Sequence, residues 1–345
     1  MISNRDRTID ILRGLAIFTM VAANMAPDML AEPHPLWFRF YGSFAAPLFI
    51  LISGMMVAFT SQTRYHDLKY FSVRGILILF VGVLFDIMWK YIPFMTVDVL
   101  YLIGISLPLA YLFLSLNTFS QWLIVIFIFL VTPLFQKILG YTDYPTELYL
   151  WGEPTVIVEN QTNVLNHWLV DGWFPIFPWL GFSLLGVNFA KIRWKSQSNN
   201  PFSKKLILIT GIGIFAVGCI IWYFYPGKLL TRAGYSELFY PPTIGYVITA
   251  IGLILILFFI ADWKSQVIIY RPLQAIGESP LFMYILHLAL IEWIIAPVWS
   301  EENIRTFFLV YIALSAFLIL TAYGLRFLKA KWKDRPFLIR VLLGT

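Results

Sequence analysis

The sequence is short of charged residues, cysteine and histidine, and each shortage excludes a class of protein. Asp, Glu, Lys and Arg make up 13% of the 345 residues, which excludes an ordinary soluble domain. A single cysteine, Cys219, excludes a disulfide framework and a thiolate metal site. There are four histidines, and no metal-ligand spacing or glycine-rich phosphate loop occurs, so we expect no bound metal.

Long apolar runs take the place of these features. The chain is 59% hydrophobic with a mean hydropathy of +0.76, and a bilayer core of roughly 30 Å requires about twenty apolar residues per helix. We predict an all-α polytopic membrane protein, with about ten transmembrane helices in one bundle, a single domain over residues 1–345 and no cleavable signal peptide. The predicted spans are residues 9–29, 44–61, 73–92, 97–116, 121–138, 173–190, 206–225, 243–261, 279–297 and 306–327.

Basic residues are divided unevenly between the two sides of these spans. Nineteen of the 25 Lys and Arg residues fall on the side of the N-terminus and six on the other. The positive-inside rule therefore predicts that both termini face the cytoplasm. Because the basic residues lie in short loops, topology explains the net charge of +6 better than nucleic-acid binding does. A bacterial cytoplasmic membrane is the expected location.

Three polar residues interrupt the first span. Asn24 follows Arg13 by eleven positions, about three helical turns, so both project from nearly the same face. Polar groups in a bilayer usually face a bundle interior or a water-filled path. Arg13 is a candidate for holding an anionic phosphate; the alternative is a snorkelling arginine paired with Asp10. In the third span, Asp86 and Lys90 are spaced to neutralise each other, and we interpret them as structural.

His34 lies ten residues beyond Asn24, on the predicted outer side. Pro33 and Pro35 stiffen the backbone around it. An imidazole at the outer mouth of a bundle can take a proton from a hydroxyl or amine at neutral pH. Asn24 is a candidate for orienting that histidine or for donating a hydrogen bond to a developing oxyanion. The alternatives are a solvated loop histidine and an asparagine that joins helices.

The ninth span carries a second histidine. Ser279 and Pro280 are typical of an N-cap and a first helical residue. Tyr284 and His287 then share one face, and His287 would lie roughly 10 Å into the bilayer. A histidine at that depth needs a partner or water, so it indicates an interior cavity. Glu292 lies further round the helix, and the spacing does not assign it to this site.

The longest segment predicted outside the membrane is Gly140–Gly172. It combines carboxylates with aromatic side chains, a combination that suits sugars because rings stack on apolar sugar faces and carboxylates accept hydrogen bonds from hydroxyl groups. The alternative is an ordinary solvated loop with interfacial aromatic residues.

Several motifs resemble a known family, the catalytic family of heparan-α-glucosaminide N-acetyltransferase. The opening motif is Arg7-x-x-Asp10-x-x-Arg13-Gly14-Leu15-Ala16, followed by Met20, Asn24 and His34-Pro35. The other similar stretches are residues 44–54 (FAAPLFILISG), 177–186 (FPWLGFSLLG) and 277–287 (GESPLFMYILH).

The resemblance implies an enzyme that moves an acyl group from cytosolic acyl-CoA, through the bundle, to a sugar on the far side. It implies that His34 is the catalytic histidine, with Asn24 beside it, and that His287 lines the tunnel together with Tyr284. Asp10 and Arg13 match the opening motif, and we assign them to the coenzyme mouth. Leu36, which departs from the family pattern, and the missing luminal part before the first span imply an acceptor other than heparan.

The leading hypothesis is a multi-pass membrane acyltransferase that transfers acetyl from acetyl-CoA to an amine or hydroxyl of an extracytoplasmic sugar or glycan. Its partners would be acyl-CoA, that sugar and membrane lipids, with no nucleic acid, and a homodimer stays open. One alternative is a transporter or exporter of a small polar or glycan-type solute, although no paired inverted halves are evident. The other is a scaffold whose polar residues only join helices.

Overall fold

The structure, a computed structural model, describes residues 6–64, 66–90, 93–94, 96–141, 164–194, 201–227, 236–332 and 334–344. Within these residues every element is helical, apart from a single β-bridge between Leu30 and Glu302. The α-helices are α1 (Arg7–Met29), α2 (Leu36–Ser43), α3 (Ala45–Arg64), α4 (Leu68–Lys90), α5 (Val99–Phe113), α6 (Thr118–Leu139), α7 (Val164–Asn166), α8 (Ile176–Trp194), α9 (Lys205–Trp222), α10 (Ile244–Trp263), α11 (Arg271–Gly277), α12 (Pro280–Leu290), α13 (Ile304–Lys331) and α14 (Phe337–Leu343). The 3₁₀ turns are Pro201–Ser203 and Ile268–Tyr270, and the π-helical turns are His167–Asp171, Tyr223–Gly227 and Ile291–Ile295.

Each of the ten predicted spans coincides with one helix of the described chain, namely α1, α3, α4, α5, α6, α8, α9, α10, α12 or α13. In the part of the chain that the structure describes, seven helices are long and apolar enough to cross a membrane, or eight if the bent pair Ile268–Gly277 and Pro280–Ile295 is one span. With 15 residues, α5 is short for a crossing. The all-helical class is confirmed, and the count of ten stays a prediction.

Burial separates a central group of helices from a peripheral one. Within an 18-residue apolar stretch of each helix, 83% of the residues are buried in α1 and in the span formed by α2 and α3. Only 17% are buried in α6 and in the span that begins with α9. The peripheral helices turn large apolar side chains such as Phe119 and Leu206 outward. Lipid tails are as apolar as these side chains, so a membrane accommodates such exposure. The buried polar residues of α1, Thr8, Asp10 and Thr19, consequently face protein.

Ion pairs bring several helix ends together on the side where α1 begins, here called the N-terminal side. Arg193, near the end of α8, donates to Asp6 and to Asp262, each at 2.7 Å, and so links the start of α1 to the end of α10. Arg326, near the end of α13, pairs at 2.7 Å with Glu278, which follows α11. Because α11 packs on α1, the start of α1 and the end of α13 share this side. Its assignment to the cytoplasm stays a prediction.

The contact between α1 and α11 depends on two glycines. A Cβ at Gly14 would overlap the backbone carbonyl of Leu273, and a Cβ at Gly277 would overlap the carbonyl of Asp10. Only residues without a side chain permit this approach. Beyond Gly277 the chain bends by 84° into α12. The glycine contact therefore holds a broken span against the helix that carries Arg13 and Asn24.

Candidate active site

Two cavities lie beside α1. The near cavity, toward the N-terminal side, has a volume of about 150 Å³, and the far cavity, toward the opposite side, has a volume of about 370 Å³. Arg13 lines the near cavity and Asn24 lines the far cavity, consistent with their predicted common face. Tyr284 of α12 lines both. Arg13 and Asn24 of the first span and Tyr284 of the ninth therefore border this pair of cavities.

The near cavity presents two guanidinium groups in a mostly apolar wall. Arg13 forms an ion pair with the fully buried Asp10, which confirms the predicted pairing of these residues. Arg74 of α4 donates from Nη1 to the Tyr70 hydroxyl at 3.2 Å. The apolar part of the wall includes Phe49, Val57, Phe71, Ile103 and Leu107. Positive charge within apolar walls suits an anionic group attached to a flexible chain.

Carboxylates and aromatic rings line the far cavity. These side chains are Asp28, Asp86, Asp98, Glu237, Glu292, Trp173, Phe174, Phe239 and Tyr240. Burial raises the pKa of Glu237 to about 7, although a hydrogen bond from its own backbone and the charge of Arg39 act in the opposite direction. Such a wall suits a ligand that carries hydroxyl or amine groups on an apolar ring. Among the described residues, no group of three or more His, Cys, Asp or Glu side chains is arranged to hold a metal ion.

Tyr284 belongs to the described walls of both cavities, and its position is here called the boundary between them. Its hydroxyl donates to Asp98 Oδ2 at 2.7 Å. Asp98 directly precedes α5, so this bond ties α12 to the start of α5 across the boundary.

Asn24 is hydrogen-bonded to His287. Asn24 Nδ2 lies 2.9 Å from His287 Nε2, and His287 Nδ1 lies 3.0 Å from the carbonyl oxygen of Met283. His287 is fully buried, as the depth argument from the ninth span predicts, and it has both a side-chain and a backbone partner. Within the described chain it does not line either cavity, so it reaches the far cavity through Asn24.

His34 lies apart from Asn24 in its hydrogen bonding. Its Nε2 is 2.9 Å from the Leu30 carbonyl oxygen, to which it donates, and its Nδ1 is 2.9 Å from the Ser236 hydroxyl. The interpretation in which Asn24 orients His34 is corrected by these contacts, because the Asn24 amide pairs with His287 instead. His34 is not among the described residues of either cavity wall. It adjoins the far cavity through Ser236, whose neighbour Glu237 lines it.

Two residues of the far cavity wall, Asp86 and Glu292, are not predicted as site residues from their spacing along the helices. Asp86 accepts hydrogen bonds from the Thr96 and Tyr101 hydroxyls, each at 2.6 Å, and it lines the far cavity. The Lys90 side chain lies outside the described residues, so the interpretation of Asp86 and Lys90 as a structural pair stays a prediction. Glu292 also lines the far cavity, although its position round the helix does not assign it there. An ionisable residue inside an apolar span was the available signal for Asp86.

The predicted sugar-binding segment Gly140–Gly172 lies largely outside the described residues, since 142–163 are not described. Trp173 and Phe174, which directly follow this segment, line the far cavity. The interpretation of the segment itself stays a prediction.

A comparison with known protein families identifies a family that this chain matches. A sequence model described as heparan-alpha-glucosaminide N-acetyltransferase, catalytic, matches residues 5–216, more than half of the chain. The matched range includes Asp10, Arg13, Asn24 and His34, whereas Tyr284 and His287 lie beyond it. No curated protein matches the chain.

Proposed function

Because the chain belongs to the heparan-alpha-glucosaminide N-acetyltransferase catalytic family, we propose that it transfers acetyl from cytosolic acetyl-CoA to an amine or hydroxyl of an extracytoplasmic sugar or glycan. The observation that carries this proposal is the pair of cavities that meet at Tyr284. The near cavity contains the positive charge that a phosphorylated donor requires, and the far cavity contains the carboxylates and aromatic rings that suit a sugar. Two substrates can then approach one boundary from opposite sides of the membrane.

The near cavity is the proposed donor site. Coenzyme A carries phosphates that cannot enter hydrocarbon, so its nucleotide stays at the cytosolic mouth and only the acyl-pantetheine arm extends inward. Arg13 and Arg74 offer guanidinium groups, which bind phosphate through paired N–H donors. The apolar wall residues Phe49, Ile103 and Leu107 suit the arm and its acetyl group. Asp10 keeps Arg13 oriented through their ion pair.

The far cavity is the proposed acceptor site. Trp173 and Phe239 offer ring faces for the apolar face of a sugar, and carboxylates such as Glu237 accept hydrogen bonds from hydroxyl groups or pair with an ammonium group. A volume of about 370 Å³ is in the range of small-molecule sites. The acceptor would lie against Asn24, close to the boundary at Tyr284.

The reaction joins the two sites. The acceptor nitrogen or oxygen attacks the thioester carbonyl, a C–N or C–O bond forms, and the C–S bond breaks. The proton of the acceptor passes to a base, and the departing thiolate of coenzyme A takes up a proton. On the family resemblance we propose His34 as that base, with Asn24 in contact with the acceptor. To act directly, the His34 ring must exchange its bond with Ser236 for one with the substrate.

The proposal takes residues 1–345 as one transmembrane domain in a bacterial cytoplasmic membrane. The nineteen basic residues on the N-terminal side support a cytosolic position for the donor cavity. A homodimer is compatible with this arrangement and is not required by it, because both cavities form within one chain.

Thiol release tests the proposal against an exporter, since two cavities that share a wall residue also suit alternating access. Purified protein in detergent would be incubated with acetyl-CoA and a panel of amino sugars and glycosides. We expect free thiol to appear only with an acceptor present, together with an acetylated sugar. Solute uptake into proteoliposomes without thiol release would instead establish the exporter and overturn the transferase.

Arg74→Ala tests the donor site. We expect the Kd for acetyl-CoA, measured by calorimetry in detergent, to rise about 10- to 100-fold, because a hydrogen bond to a charged group contributes about 1.5–3 kcal/mol. Lys69→Ala is the matched control, since Lys69 is exposed on the same helix outside the cavity wall. Equal Kd values for the two variants would contradict the placement of the donor.

The pH dependence of acceptor binding tests Glu237. With a pKa of about 7, its carboxyl is charged above that pH and neutral below it. The KM for a cationic amino sugar should therefore rise as the pH falls through 7, whereas Glu237→Gln, which is neutral throughout, should remove this step. A neutral glycoside is the control substrate, because its binding needs no countercharge. Identical amino-sugar profiles for the variant and the unaltered protein would refute the assignment.

A further inference from the structure

The hydrogen bonds of His287 fix its protonation pattern. The Met283 carbonyl oxygen can only accept, and it lies 3.0 Å from His287 Nδ1, so Nδ1 carries a proton. The other ring nitrogen, Nε2, lies 2.9 Å from the amide nitrogen of Asn24, which can only donate. Nε2 must therefore be the hydrogen-bond acceptor, and the ring is the neutral Nδ1–H tautomer.

The same bonds fix the Asn24 side chain. An asparagine amide can turn by 180° about its last torsion and exchange the positions of its oxygen and nitrogen. The lone pair on His287 Nε2 admits only the orientation in which Nδ2 points at it. One N–H group of Asn24 is thereby committed to His287, and Oδ1 is the hydrogen-bond acceptor that remains for a ligand in the far cavity.

We propose that His287 is a positioning residue that locks the Asn24 amide, so that Oδ1 receives a hydrogen bond from the attacking amine or hydroxyl of the sugar. This inference rests on the proposed function. A hydrogen bond from the nucleophile to Oδ1 directs the lone pair of the attacking atom toward the thioester. Asn24 then orients the nucleophile through Oδ1, and its second N–H group is not required for this role.

Two observations argue against His287 as the base itself. Its side chain is fully buried, and it is absent from the described walls of both cavities. Both ring nitrogens are already occupied, one by Met283 and one by Asn24. His34 also has partners at both ring nitrogens, but it is partly exposed and can exchange Ser236 for a substrate, whereas the fully buried His287 ring cannot. We therefore place the effect of His287 on the reaction through Asn24.

A double-mutant cycle tests this dependence. His287→Leu replaces the ring with an apolar side chain and removes the lone pair, whereas His287→Gln can again accept the bond from Asn24 through Oε1. We expect His287→Leu to lower kcat by about the same factor as Asn24→Ala, and His287→Gln to recover most of the rate. In the Asn24→Ala background, His287→Leu should change kcat by less than about twofold, because the residue it positions is gone. Equal losses in both backgrounds would overturn the inference.

¹⁵N-histidine NMR provides a measurement that needs no variant to be active. The unaltered protein, with His287 identified by its loss in His287→Gln, should show a neutral ring protonated at Nδ1. A ring protonated at Nε2, or a cationic ring, would overturn the inference. If the unaltered protein transfers acetyl to no sugar, both the proposed function and this role of Asn24 are refuted. If acetyl transfer is observed but the kcat losses of His287→Leu and Asn24→Ala are additive, the proposed function stands and only the positioning role of His287 is refuted.

Discussion

His34→Ala is expected to lower the rate of acetyl transfer by about 10²- to 10⁴-fold, the usual contribution of a positioned general base. In the proposed reaction His34 is the general base that takes the proton of the attacking group, and no other described histidine is proposed for this role. The measurement is kcat for acceptor-dependent thiol release at saturating acetyl-CoA. The Kd for acetyl-CoA should stay unchanged, because the near cavity does not include His34.

Ser236→Ala is the matched control for this variant. In the structure His34 also holds the segment before α10, because its ring meets the Ser236 hydroxyl and Glu237 follows in the cavity wall. If His34 is the base, Ser236→Ala should keep most of the activity and His34→Ala should lose it. If the two variants lose activity equally, His34 acts by holding this wall and not by taking a proton.

Gly14→Val is expected to cost about 3 kcal/mol or more of folding free energy, the upper part of the range for overpacking. A side chain at Gly14 overlaps the backbone carbonyl of Leu273, and no rotamer can relieve a contact with backbone. The contact between α1 and α11 would open, and the broken span that leads to Tyr284 and His287 would move with it. We expect a lower thermal unfolding midpoint in detergent and the loss of both substrate sites.

Gly324→Val separates this effect from the general cost of valine in a helix. Gly324 lies in α13 and is exposed, and a Cβ at this position would have no atom within 4 Å among its described neighbours. Its replacement should change stability by no more than about 0.5 kcal/mol. Similar midpoints for the two variants would show that the close approach at Gly14 contributes little to the bundle.

Local patterns in the sequence predict the elements that depend on neighbours along one helix. The apolar runs place ten helices, and the i, i+3 spacing of Asp10 and Arg13 predicts their ion pair. The eleven-residue separation of Arg13 and Asn24 predicts a shared face, which the two cavities occupy. These predictions succeed because helix geometry converts spacing directly into direction.

Contacts between distant segments cannot be predicted in this way. Proximity in sequence pairs Asn24 with His34, yet its partner is His287, 263 residues away. Helical spacing likewise gives no indication that the Thr96 and Tyr101 hydroxyls donate to Asp86. The spacing of residues along a helix predicts which side chains of that same helix can contact each other, and it gives no information on contacts between helices. A buried polar group takes whichever partner the packing of other helices brings to it.

By itself, the sequence determined that this chain is an all-helical membrane protein, and it identified Asp10, Arg13, Asn24 and His287 as polar groups too costly to face lipid. Hydrophobic length and helical period are local properties, so they can be read from the order of residues. Only the tertiary structure decided that Arg13 and Asn24 border two cavities, that Tyr284 belongs to both cavity walls, and that His287 and not His34 is hydrogen-bonded to Asn24. The bend after Gly277 and the close approach at Gly14 bring the ninth span to the first, and such long-range packing has no counterpart in local spacing.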